Sequence, residues 1–187
     1  MGRIIVTEFV SLDGVAEAPG GGEEFARGGW AFAVSRGEEG DAFKSQETRD
    51  SAALLLGRRT YEGFAAAWPS REGEFADKFN GMPKYVVSST LSDPSWTNTT
   101  VLGAGDVAGA ATRLRDEVDG DVVVHGSLQL VQALLEADLV DELRVMVFPI
   151  VLGDGKRLFG ATSAARPLTL ASTQAVGDGV LINVYTR

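Results

Sequence analysis

VVVHGSLQLVQALLEADLVDELRVMVFPIVLGDGKRLF, residues 122–159, reads as strand, glycine turn, helix and strand. Val122, Val123 and Val124 form a solid β-branched run, the pattern of a strand buried on both faces of a parallel sheet. His125-Gly126-Ser127 breaks the run, and Leu128, Val131, Leu134 and Leu135 then share one helical face. The first acid of that helix is Glu136, so its opening turns carry no negative charge. Such a helix start offers free N–H groups and the positive end of the dipole, and we expect a phosphate at Gly126-Ser127. A plainer use is also open: Gly126 lets helix and strand pack closely, and Ser127 caps the helix.

Two more corners have the same character. Residues 52–56 are a short apolar strand followed by Gly57-Arg58-Arg59-Thr60, with a helix opening near Tyr61-Glu62. Guanidinium forks and helix-start amides suit phosphate oxygens, although a basic pair on a loop is more often simply solvated. Residues 84–88 form a strand running into Ser88-Ser89-Thr90, hydroxyls that serve either a turn or a ligand. Parallel α/β sheets gather such strand ends along one edge. Three donor clusters there suit a ligand with several phosphates, such as a phosphorylated dinucleotide. GxGxxG and Walker A patterns are both absent from the sequence.

The rest of the chain frames these corners. Residues 3–11 (RIIVTEFVS) have the profile of a central strand. Residues 14–40 hold eight of the 23 glycines together with Trp30 and Phe32, which suits a flexible cover docked over a site or, equally, a plain surface loop. Helices are expected over 41–51, 72–79 and 106–119, a short strand over 99–102, and a terminal hairpin from 168–174 and 180–185 around Gly177-Asp178-Gly179. The length of 187 residues fits one domain spanning 1–187. No run reaches the ~18 apolar residues of a membrane span, and no signal peptide is expected. The absence of cysteine excludes disulfides and thiolate metal sites, and fits a cytoplasmic protein. One histidine excludes a histidine-rich metal site, and no carboxylate loop for a cation is recognisable, so no metal is expected. A net charge of −9 argues against nucleic-acid binding. With neither a second histidine nor a GxSxG elbow, a serine hydrolase is disfavoured as well.

Several segments resemble a known family. Leu54-Leu55-Leu56-Gly57-Arg58-Arg59-Thr60-Tyr61-Glu62 is similar to the G-R-x-T-[YW]-E segment of dihydrofolate reductase-like proteins. Ser11-Leu12-Asp13-Gly14, and Leu139-Val140-Asp141-Glu142-Leu143 with Pro149, Leu152-Gly153 and Gly155, resemble the reductase (C-terminal) domain of bifunctional riboflavin-biosynthesis deaminase/reductases. The resemblance runs from residue 3 to 186. It implies an α/β, three-layer dihydrofolate reductase-like fold: a central, mostly parallel sheet, helices on both faces and a C-terminal antiparallel hairpin.

It further implies NADPH laid across the strand ends. Arg58, Arg59 and Thr60, next to Gly57, would meet its phosphates, and Ser88 and Ser89 the adenosine ribose and 2′-phosphate. Gly126 and Ser127, flanked by His125 and Leu128, would hold the pyrophosphate, with Val15 and Ala16 bordering the nicotinamide. Dihydrofolate reductases carry a substrate carboxylate sixteen residues before that glycine, here Asp41, though Asp41 equally suits a helix N-cap. Glu8, Asp13, Asp41 and His125 are the candidate proton donors, with water as another source. Two departures stand out: Val124-His125-Gly126-Ser127 replaces V-E-G-G, and Thr60-Tyr61-Glu62 replaces the D-D-P-x-L-T of riboflavin-type reductases. The implied activity is hydride transfer from NADPH to a C=N or C=O of a flat, pterin- or aminopyrimidine-like, ribosylated substrate, by a homodimer. The alternative is an NADP(H)- or small-ligand-binding protein with little turnover.

Overall fold

The structure, a computed structural model, describes residues 2–22 and 24–187. Eight strands form one sheet: β1 (Arg3–Ser11), β2 (Ser51–Gly57), β3 (Lys84–Val87), β4 (Thr99–Leu102), β5 (Asp121–Val124), β6 (Glu142–Phe148), β7 (Thr169–Val176) and β8 (Val180–Thr186). Their order is β4-β3-β2-β5-β1-β6-β8-β7. Strands β1 to β6 pair in parallel, and the β7–β8 hairpin adds antiparallel pairs beside β6. Five α-helices connect them: α1 (Gly37–Asp50), α2 (Arg58–Ala67), α3 (Glu74–Gly81), α4 (Val107–Glu117) and α5 (Leu128–Glu136).

Alternation in the central strands sorts side chains onto two faces. Ile4 and Val6 of β1, Leu55 of β2, and Val122 and Val124 of β5 pack against Ala111 and Leu114 of α4 and Leu130, Val131 and Leu134 of α5. Ile5, Leu54, Leu56 and Val123 face the other way, onto Tyr61 of α2, Phe79 of α3 and Trp96. A third cluster joins Val15, Trp30, Phe148 and Ile182 under the segment that follows β1. The valine run thus occupies the doubly covered strand that its composition predicts. In α5 the fully buried side chains are Leu130, Val131 and Leu134, while Leu128 and Leu135 are only half-buried. Ser127 is the N-cap residue of α5 but its side chain makes no capping hydrogen bond, which removes that alternative for it.

One buried cation fastens the outer strands. Lys84 is wholly buried, and its Nζ donates to the carbonyl oxygens of Asn80 (2.6 Å), Met82 (2.8 Å) and Thr97 (3.1 Å), with the Trp96 ring 4.4 Å away. Burial pushes this ammonium down to about 8. Replacing it with methionine keeps the stem but leaves three carbonyls without their donor. Lys84→Met is expected to lower stability by about 3 kcal/mol, read as a lower urea midpoint at unchanged slope.

Candidate functional site

The C-terminal ends of β3, β2, β5 and β1 lie side by side, because all four strands are parallel and adjacent. The two central corners touch. The Gly57 N–H donates to the Gly126 carbonyl at 3.1 Å, tying the start of α2 to the turn before α5. A Cβ on residue 57 would stand 2.9 Å from both Cβ and the backbone N of Ser127, and closer still to its hydroxyl. Only glycine permits this approach. Gly126 has φ +106°, and a Cβ there would meet the Thr60 hydroxyl at 2.9 Å and Glu8 Oε1 at 3.5 Å. The peptide between Gly126 and Ser127 is cis. Thr60 and Glu8 therefore converge on Gly126, while the next residue, Ser127, packs against Gly57.

Electrostatics at these corners favour an anion. Neither α2 nor α5 has an acid in its first turn. Arg58 and Arg59 open α2 and are exposed. Arg58 lies 2.8 Å from Glu62, a solvent-exposed pair of small energetic weight. Glu17, on the segment after β1, is held below the ordinary carboxylate range mainly by its hydrogen bond to Lys156, with Arg59 adding to the effect. Arg59 and Glu17 thus lie within electrostatic reach of one another across the crevice.

On the neighbouring strand, Val87 pairs with Gly57, so Ser88 and Ser89 leave the sheet at the same edge. Ser88 Oγ accepts from the N–H groups of Thr90 (3.1 Å) and Leu91 (2.9 Å). Its side chain builds the turn, and Ser89 is the exposed hydroxyl. Val15 and Ala16 are buried, with the Val15 N–H given to Ser11 Oγ and the Ala16 N–H to the Lys156 carbonyl. They form part of the wall beside β1. His125 packs edge-on against Phe64 (6.0 Å) and Phe79 (5.8 Å). Burial pushes its imidazole down to about 3, with the Lys44 charge contributing, so it is neutral above that pH.

Two carboxylates expected to be catalytic have other partners. Asp13 accepts from Ser11 Oγ (2.7 Å) and from the N–H groups of Leu152 (3.1 Å) and Gly153 (2.7 Å). The Ser11 hydroxyl and the two amides hold it well below the usual carboxylate range. It clamps the end of β1 to the segment after β6 and keeps no proton to give. Asp41 lies in the first turns of α1, exposed and paired with Arg36 at 2.6 Å. The N-cap position belongs to Arg36, so the capping role does not hold for Asp41 either.

The acid the structure does bring to the crevice is Glu8. The sequence names it only among possible proton donors, yet its signal is plain: the lone carboxylate in the mostly apolar strand RIIVTEFVS. The segment after β1 is anchored at its far end. Trp30 is buried, donates Nε1–H to the Glu17 carbonyl (2.8 Å) and sets its ring edge-on to Phe148, and Arg27 reaches the Leu152 carbonyl. Phe32 is 81% exposed and does not dock. Among the described residues no cluster of three or more His, Cys, Asp or Glu could hold a metal ion, and no helix is long and apolar enough to cross a membrane.

Comparison with known proteins agrees with this architecture. The chain is 25% identical over 188 residues to the uncharacterized protein YyaP of Bacillus subtilis (strain 168), covering 98% of this chain and 94% of that one. It superposes on a provisionally assigned riboflavin biosynthesis protein of Shewanella sp. PV-4 with a TM-score of 0.75 at 20% identity, covering 99% and 98% of the two chains. The dihydrofolate reductase of Enterococcus faecalis, complexed with NADP(H) and RAB-propyl, matches with a TM-score of 0.60 at 15% identity over 99% and 96%. These likenesses show a dihydrofolate reductase-like α/β fold with its C-terminal antiparallel hairpin. Residues 3–182 match the model of the RibD C-terminal domain, and the chain belongs to that family.

Proposed function

We propose that this chain is an NADPH-dependent reductase that transfers hydride to a C=N or C=O of a flat heterocycle, pterin- or aminopyrimidine-like and ribosylated. The observation that carries the reading is the joint between the two acid-free helix starts, Gly57 N–H to Gly126 carbonyl at 3.1 Å. It aims two sets of unpaired amides at one place, beside two guanidiniums and the hydroxyls of Thr60 and Ser127. That donor set fits a polyphosphorylated dinucleotide.

In this reading Arg58, Arg59, Thr60 and the first amides of α2 hold phosphate oxygens, and so do Gly126, Ser127 and Leu128 through their backbone. Ser89 takes the outer end of the dinucleotide, with Ser88 fixing its turn. When bound, the cofactor supplies the hydride. The chain's own contribution is placement and exclusion of water, with Val15 and Ala16 walling the crevice and the Trp30-anchored segment alongside it. The proton comes from water or from a group other than Asp13 and Asp41, whose carboxylates are engaged. A homodimer belongs to the same proposal, favoured by the edge strand β7 and the exposed Leu168, Leu170 and Leu181.

The engagement of both carboxylates also favours a second reading, a dinucleotide-binding protein with little turnover. Titration with NADPH, followed by its absorbance in the presence of pterins and aminopyrimidines, separates the two. Oxidation with any member of the panel supports the reductase; tight binding without oxidation supports the binder. Arg58→Ala combined with Arg59→Ala is expected to weaken NADPH at least about tenfold, since charge-assisted hydrogen bonds contribute roughly 1.5–3 kcal/mol each. An unchanged Kd would remove the arginines from the site.

A further inference from the structure

Glu8 is where the structure goes beyond its motifs. It sits in the second half of β1, two residues past Val6, the last β1 residue paired with β5. At this level β5 has already given way to the His125-Gly126-Ser127 turn. The residue is 7% exposed, and its Oε1 is sealed from solvent with no hydrogen-bond partner among the described residues. A buried acceptor without a partner is unfavourable and calls for a ligand or a functional reason. Here the atom faces the space over Gly126, where the Thr60 hydroxyl also points. Gly126 is the residue whose lack of a side chain lets the Thr60 hydroxyl and the Glu8 carboxyl approach the turn this closely.

We propose that Glu8 is a direct contact of the bound dinucleotide, its carboxyl hydrogen-bonding the part of the ligand that lies over the Gly126–Ser127 turn. The inference rests on the dinucleotide site of the reductase reading and adds to it a residue and a proton. Of the charged groups around Glu8, Lys44 and Glu47 come from α1 and act in opposite directions. The cross-strand neighbour Val145, Gly126 and Thr60 contribute no charge. Burial prevails and pushes the carboxyl up to about 8. At neutral pH the group is therefore an uncharged acid, able both to donate and to accept, and it does not repel a ligand carrying several phosphates. Above that pH it becomes a buried carboxylate in an anion site, and affinity falls. Binding the dinucleotide in alkaline solution then takes up a proton.

The test is NADPH binding to the full chain between pH 7 and 9.5, by tryptophan fluorescence and by calorimetry in buffers of different ionisation enthalpy. Wild type is expected to weaken about tenfold across that range and to take up close to one proton at its alkaline end. Glu8→Gln, which keeps a donor and an acceptor, is expected to bind within about threefold of wild type at pH 7 and to lose the pH dependence. Glu8→Leu, which keeps the site filled, is expected to bind about five- to tenfold more weakly at pH 7. The same pH profile in Glu8→Gln as in wild type, or wild-type affinity in Glu8→Leu at pH 7, would overturn the role of Glu8 while leaving the dinucleotide site standing. Absence of NADPH binding by wild type at every pH would overturn the dinucleotide site, and the Glu8 contact with it. Thermal melts at pH 7 verify that each variant is folded.

Discussion

Gly57→Ala is expected to weaken NADPH binding severely and to destabilise the fold, because one methyl group separates the two corners that form the site. The added carbon would stand 2.9 Å from the backbone nitrogen and Cβ of Ser127, nearer still to its hydroxyl. A rotamer change moves the hydroxyl away but does nothing for the backbone nitrogen, so the turn before α5 must retreat from β2. Retreat breaks the Gly57 N–H to Gly126 carbonyl bond. Overpacking of this kind costs about 1–3 kcal/mol, and the lost hydrogen bond about 1 kcal/mol more. The expected outcome is a loss of about 2–4 kcal/mol in urea unfolding, with NADPH affinity reduced at least about a hundredfold as both sets of amides leave their common target. Adding Ser127→Gly to Gly57→Ala removes two of the three close atoms and should restore part of the stability. That makes the pair non-additive. Wild-type affinity in Gly57→Ala would mean that the two corners do not act on one ligand.

This joint was only half legible in the sequence. The strand–glycine–helix grammar at Gly57 and Gly126 is local chemistry, and it marks both corners in the sequence. Their contact depends on β5 inserting between β2 and β1, a non-local choice that no local window contains. Helix ends moved for similarly physical reasons. The spacing predicts a helix from Asp41, whereas α1 opens at Gly37, a residue with φ +65° that the glycine-rich composition of 14–40 hides. Asp13 and Asp41 could not be assigned from the sequence because their partners, Leu152, Gly153 and Arg36, are set by how loops dock. Only the resemblance to a known family carries the reading from anion sites to a reductase. Glu8 shows the reverse case. A carboxylate in a central strand is a visible anomaly, but its meaning depends on the glycine turn after β5, the strand that pairs beside β1 although it lies far along the chain.

Two buried titratable groups should shape the stability of the folded chain against pH, in opposite directions. His125 is pushed down to about 3 by burial, against an ordinary value of 6.5. The unfolded chain therefore binds a proton that the folded chain refuses, so stability present above 6.5 is lost as pH falls towards 3. Glu8 is pushed up to about 8 from 4.5, again by burial. The folded chain keeps a proton that the unfolded chain releases, so stability present below 4.5 is lost as pH rises towards 8. Between 4.5 and 6.5 the two slopes cancel, which places a plateau there with a fall on either side. The alkaline fall, confined to the interval from 6.5 to 8, amounts to about 2 kcal/mol at roughly 1.4 kcal/mol per pH unit. The acid fall, from 4.5 towards 3, is about 1–2 kcal/mol after allowance for the partial exposure of His125. Urea midpoints from pH 3 to 9 measure both sides. Glu8→Gln is expected to remove the alkaline fall and leave the acid one, and His125→Phe, which extends the aromatic contacts with Phe64 and Phe79, to do the converse. A wild-type curve that stays level between pH 6.5 and 8 would show that Glu8 is ionised in the folded state. That result would also remove the neutral acid from the dinucleotide crevice.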